Sequence, residues 1–194
     1  MNRLLYIVLL LLSPVLMAAD IEEPRWELID KLDQVELRRY APSIQAVTEL
    51  GSSAGTSSGF RLLAGYIFGG NERAQSIAMT APVQETLEKT RPVMAFTLPA
   101  EYSMEELPTP NDERVSLVEV PQRTVAAVRF SGWATGGKVA RMQRKLLATL
   151  ATHGIESVGV PVLNQYNPPW TAPFLRRNEV SVEVVLGGDL AAAH

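Results

Sequence analysis

Two histidines, His153 and His194, are the only imidazoles in the 194 residues, and cysteine is absent. The missing thiol excludes disulfides, thiolate nucleophiles, zinc–thiolate sites and iron–sulfur clusters. His194 is the last residue. His153 sits where a helical pattern ends, with Gly154 behind it. A cation there suits the negative end of a helix dipole, so capping accounts for it without a ligand role. Ser57, Ser58 and Thr80 are hydroxyl nucleophiles by residue type alone, with no histidine in pattern beside them. Glu105–Glu106 lies in a polar stretch and reads as a solvated pair, not as an acid/base dyad. No G-x-S-x-G, H-E-x-x-H, P-loop or dinucleotide fingerprint occurs. GGN (69–71) is a helix stop, and GWATGG (132–137) has the wrong spacing for a phosphate loop. The formal charge of −3 and the lack of a Lys/Arg tract argue against nucleic-acid binding. What remains is binding chemistry: arginines set among apolar and aromatic side chains.

Those side chains need elements to position them. DQVELRRY (33–40) and IQAVTEL (44–50) alternate around Ala41-Pro42-Ser43 and predict a strand pair. SSAGTSSG (52–59) reads as a loop. In FRLLAGYIF (60–68), Phe60, Leu63, Ala64 and Ile67 predict a helix with one apolar face, which Gly69-Gly70 ends. That stripe leaves Arg61, Leu62 and Tyr66 on other faces. IAMTAPVQE (77–85) and PVMAFTLP (92–99) read as strands.

The second half repeats the order. RVSLVEV (114–120) and TVAAVRFSG (124–132) precede a helix from about Gly137 to Thr152, with a stripe of Val139, Met142, Leu146 and Leu150. VPVLNQY (160–166) and NEVSVEVVL (178–186) close the chain. The expectation is an α+β domain of two strand-strand-helix-strand-strand repeats, 33–99 and 114–186. Neither half can cover its apolar face alone, so the two join in one antiparallel sheet with two helices against it. AEYSMEELPTPNDE (100–113) reads as the connector. A ligand would lie between helices and sheet or at the seam of the halves.

Residues 1–19 have the layout of a secretory signal peptide: Arg3, an apolar run from Leu4 to Leu12, then Ala18-Ala19. The run is shorter than the roughly 20 residues a membrane span needs. Export, in the bacterial case to the periplasm, is the expectation, with 20–194 as a single domain. An uncleaved segment would be the chain's one link to a membrane.

Four stretches carry a family resemblance: VELRRY (35–40), FRLLAGYIFGGN (60–71), IAMTAPV (77–83) and YNPPWTAPFLRRNEV (166–180). They occur in the order found in the SOUL haem-binding proteins, which the chain resembles over about 150 residues. The resemblance implies a twisted antiparallel sheet closing toward a barrel, flanked by two helices. It also implies non-covalent binding of haem or another tetrapyrrole, a small-molecule ligand. RRYAPSIQAV holds no histidine after the first strand motif, so the implied binding is by an apolar groove without a strong axial ligand. Leu62 and Tyr66 would meet the ring, and Arg61 a propionate. Met79 is either a packed thioether or a ligand contact. Trp170 and Arg176 belong either to a rigid lid that seals the end of the sheet or to a ligand-facing loop. An effector-binding or hydrolase-like domain using the same groove is the alternative.

Overall fold

The computed structural model describes residues 21–51, 55–88 and 90–186. The 1–19 segment and His194 lie outside the described residues. Among the described residues, nine strands and two α-helices form the domain. They are β1 (Trp26–Leu32), β2 (Val35–Tyr40), β3 (Ser43–Glu49), α1 (Gly55–Ile67), β4 (Val83–Thr86), β5 (Val93–Thr97), β6 (Ser116–Val120), β7 (Arg123–Phe130), α2 (Gly136–Thr152), β8 (Glu156–Gln165) and β9 (Asn178–Val185). All nine strands join one sheet in the order β1-β2-β7-β9-β8-β4-β5-β3-β6. Every pairing is antiparallel. The α+β class is as expected, but closure toward a barrel is not. β1 and β6 are the two edges and the sheet stays open.

Strand alternation sorts the side chains by face. One face carries two cores, one under each helix. Val35, Leu37, Ala126, Val128, Phe130, Leu163, Val180, Val182 and Val184 pack with Val139, Leu146 and Leu150 of α2. Ala46, Met94, Phe96 and Leu98 pack with Leu63, Tyr66 and Ile67 of α1. The stripe read for α2 therefore holds, with Met142 partly buried at its margin. His153 is the C-cap of α2 and Gly154 follows at φ +65°, as the capping role requires.

Three elements differ from expectation. α1 begins at Gly55, inside the stretch read as loop. Gly59 makes this possible, because it lets the helix settle onto Leu50: a Cβ there would stand 2.2 Å from Leu50 Cδ2. Residues 77–82 form no strand. Ile77 and Ala81 spend their amide protons on the carbonyls of Ile67 and Glu22, outside the sheet ladder. β1, unread in the sequence, is an edge strand whose residues are mostly exposed, so no alternating pattern marks it.

Candidate functional site

The core face of α1 is Gly59, Leu63, Tyr66 and Ile67, rotated from the stripe drawn through Phe60. Phe60 is half exposed and meets Phe96 edge to face at 5.4 Å. The rotation brings a second helix face to the surface. Ser58, Arg61, Leu62 and Gly65 follow the i, i+3, i+4, i+7 spacing that places residues on one side. This face looks onto the chain that precedes β6. Together they bound an open groove of about 740 Å³, lined by Arg61, Leu62, Gly65, Tyr66, Gly70 and residues 110–115. Its volume falls within the roughly 300–1,000 Å³ usual for small-molecule sites.

Glycine makes the floor of this groove. A Cβ at Gly65 would meet no atom within 4 Å, so the position is bare backbone facing open space. Gly70 closes against the helix end, with its amide on Gly65 O at 2.8 Å. A Cβ at Gly70 would lie 2.5 Å from that same oxygen. Leu62 is the partly buried apolar side chain beside this floor.

Two arginines flank it. Arg61 is exposed and has no carboxylate partner among the described residues. Arg114 grips Asp112 with Nη2–Oδ2 at 2.6 Å and Nε–Oδ1 at 2.9 Å. Those hydrogen bonds hold the Asp112 carboxyl down at about 2. Tyr66 also belongs to the lining. Its ring is buried and its hydroxyl donates to Pro108 O at 3.0 Å. Burial pushes that hydroxyl up to about 12.

Of the six residues expected at a site, the structure gathers Arg61, Leu62 and Tyr66 in this groove. The others stand elsewhere. Met79 packs on the α1 core and is absent from the groove lining. Trp170 is 84% exposed, so it does not cap the core. Arg176 is buried, and its guanidinium lies 3.8 Å from the ring centroid of Trp133. Its Nε donates to Thr171 O at 2.9 Å, and Nη2 donates to Pro169 O. Arg176 therefore braces its own loop. Thr80 likewise spends its hydroxyl on Thr97 O. Sequence reasoning missed Gly65, Gly70 and Arg114. The run Gly65…Gly69-Gly70 was a usable signal, since it leaves bare backbone where a helix ends.

An open antiparallel sheet, two helices on one face and a glycine-floored groove beside α1 define an α+β domain with a groove of small-molecule size. The chain belongs to the SOUL heme-binding protein family, whose model matches residues 21–183. It is similar to heme-binding protein 2 of Mus musculus, at 26% identity over 191 residues, covering 84% of this chain and 90% of the relative. Among solved structures it resembles the C-terminal domain of EcmrR, with TM-score 0.60 and 13% identity over 78% of this chain and 97% of that one. It also resembles a hydrolase from Listeria innocua, with TM-score 0.60 and 10% identity over 81% and 94% of the two chains. These two likenesses are of fold alone.

Proposed function

We propose that this chain binds haem or another tetrapyrrole non-covalently in the α1 groove. The ring lies over Leu62 and the bare backbone of Gly65, and Arg61 meets a propionate. One observation supports this reading: the Arg61, Leu62 and Gly65 face of α1 combines a bare glycine floor with a cation that has no carboxylate partner among the described residues. A flat ligand needs a surface without protruding side chains, and a carboxylate favours a guanidinium fork. Family membership and the mouse relative support the ligand class. The residues fit the group through ring and carboxylate contacts. The described groove lining contains no histidine, methionine or cysteine, and Tyr66 turns its hydroxyl to Pro108.

The test is a titration of the protein with haemin and with iron-free protoporphyrin, followed by absorbance. The expected result is saturable binding of both with similar affinity. Arg61→Glu should weaken both about tenfold, the scale of one charge-assisted hydrogen bond. No saturable binding, or binding indifferent to Arg61→Glu and Leu62→Glu, would remove the proposal.

Two further readings accompany it. The halves 33–99 and 114–186 are a duplication. Exchanging β2 with β6, β3 with β7, β4 with β8 and β5 with β9 turns their strand order into its own reverse, which supports that reading. Residues 1–19 direct export. The N-terminal residue of protein recovered from a periplasmic fraction tests this, with Asp20 expected.

A further inference from the structure

The face of the sheet opposite the helices holds a second chamber of about 380 Å³, separate from the α1 groove in every lining residue. Its walls are apolar, with Val47, Val93, Val125, Val158, Val160 and Val162 among them. Its floor is a polar relay across the middle of the sheet. Gln45 Nε2 donates to Gln84 Oε1 at 2.7 Å, and Gln84 Nε2 donates to Asn164 Oδ1 at 2.8 Å. Asn164 Nδ2 then donates to Ser181 Oγ at 2.8 Å. Donation runs one way along the row and ends on the Ser181 hydroxyl. That hydroxyl accepts from Asn164 and donates to no described residue, so its proton is available to an occupant.

Arg123 lines the same chamber. Its Nε is buried and has no hydrogen-bond partner among the described residues. The side chain as a whole is half-buried, and the unmet donor within it favours the arrival of an acceptor. Glu183 also lines the chamber, but it is exposed to solvent. It forms no ion pair with Arg123, the ion pairs of the described residues all lying elsewhere. On β7, Arg123 is four residues from Ala127, which pairs with Ser181. At about 3.3 Å per residue the guanidinium and the hydroxyl are anchored about 13 Å apart along the strands.

We infer that this concave chamber is a second ligand site, for an elongated apolar carboxylate. The carboxylate sits on Arg123, the apolar body lies along the valine walls, and the far end reaches the Ser181 hydroxyl. The valines supply burial without direction. Arg123 sets the sign of the charge, and the relay holds the floor's side-chain amides in a row that ends on the Ser181 hydroxyl, which keeps its proton for the occupant.

Calorimetric titration of the protein with decanoate, decanol and decylamine tests the inference. Decanoate is expected to bind saturably and at least about tenfold more tightly than the other two, one charge-assisted contact being worth about that factor. Arg123→Gln is expected to abolish this preference. Val162→Trp, which fills the chamber without touching the cation, is expected to block decanoate while far-UV circular dichroism shows the fold retained. Haemin affinity should be unchanged in both variants, so failure here and failure of the α1 reading remain distinguishable. Decanol equal to decanoate, a preference for decylamine, binding unaffected by both variants, or no saturable decanoate binding would each overturn the inference.

Discussion

Arg38 on β2 and Glu179 on β9 meet in a forked ion pair across the intervening β7, with Nη1–Oε2 at 2.7 Å and Nη2–Oε1 at 3.0 Å. Both side chains are buried. The guanidinium also holds Glu36 Oε2 at 2.7 Å and lies 4.3 Å from the Trp26 ring centroid, while the Tyr166 hydroxyl donates to Glu179 at 2.9 Å. Burial works against the charge on Arg38. The hydrogen bonds and charge of Glu179 outweigh it and hold the guanidinium firmly protonated. Removing Arg38 strands the buried Glu179 carboxylate, whereas removing Glu179 leaves Arg38 its half-buried partner Glu36. Arg38→Met should cost about 3–5 kcal/mol by urea denaturation, and Glu179→Leu less. The double variant should recover most of that loss, since no lone charge remains buried. A double variant as weak as the sum of the singles would show that the pair does not act as a unit.

Tyr66 sets an alkaline limit on stability. Burial raises its hydroxyl from 10.0 to about 12 in the folded chain. Between those values the unfolded chain has released the proton and the folded chain has kept it. The unfolded state therefore binds fewer protons, and stability falls as pH rises. The contribution is complete below about pH 10 and is lost through about pH 12. Burial raises Tyr40 and Tyr166 in the same direction. Absorbance of tyrosinate should thus rise in step with loss of far-UV circular dichroism. Tyr66→Phe should shift the alkaline midpoint upward, at a cost of about 1 kcal/mol near neutrality for the lost bond to Pro108. Tyrosinate appearing fully before unfolding would contradict this.

Arg176 makes the loop before β9 stiff. It ties Thr171 and Pro169 carbonyls to the Trp133 ring, joining the 166–177 stretch to the turn after β7. Asn178 adds a bond to Gly132 O at 2.9 Å. Arg176→Ala should destabilise by about 1–3 kcal/mol and expose the 166–177 loop to proteolysis. Arg176→Lys should rescue little, because an ammonium cannot fork between two carbonyls while stacking on indole. Trp133 fluorescence should shift in both variants, and haemin affinity should stay as it was.

The strands that alternate and bury one face were legible without coordinates. Val35 and Leu37, or Val180, Val182 and Val184, announce both their period and their core side. β1 was not legible, because an exposed edge strand places no burial constraint on WELIDKL. The first turns of α1 were hidden for a related reason: glycine and serine carry no apolar signal, and packing of Gly59 against Leu50 overrides their weak helix preference. The same hidden contact moved the α1 stripe, so Tyr66 turned out to be core. The arginine and leucine of the groove were readable from helical spacing. Arg114 was not, since it reaches the groove from the far side of the connector. Trp170 misled: a tryptophan in a proline-rich loop suggested a lid, yet the buried cation of Arg176 does the bracing.

Gly65 separates stability from binding at a single position. It lies within α1, where glycine costs about 0.5–1 kcal/mol relative to alanine. A methyl there meets nothing within 4 Å, so Gly65→Ala should stabilise the protein by that amount, read as a higher denaturation midpoint. The same methyl stands on the groove floor, between Arg61 and Gly70. A flat ring can no longer lie on bare backbone, so haemin affinity should fall several-fold in the more stable variant. Gly65→Leu should deepen the loss. Gly70→Ala is the counter-case: its methyl would press to 2.5 Å from Gly65 O, which is backbone and cannot yield, so stability and binding should fall together. A Gly65→Ala protein that is more stable and binds haemin as well as the parent would place the ring elsewhere on the domain.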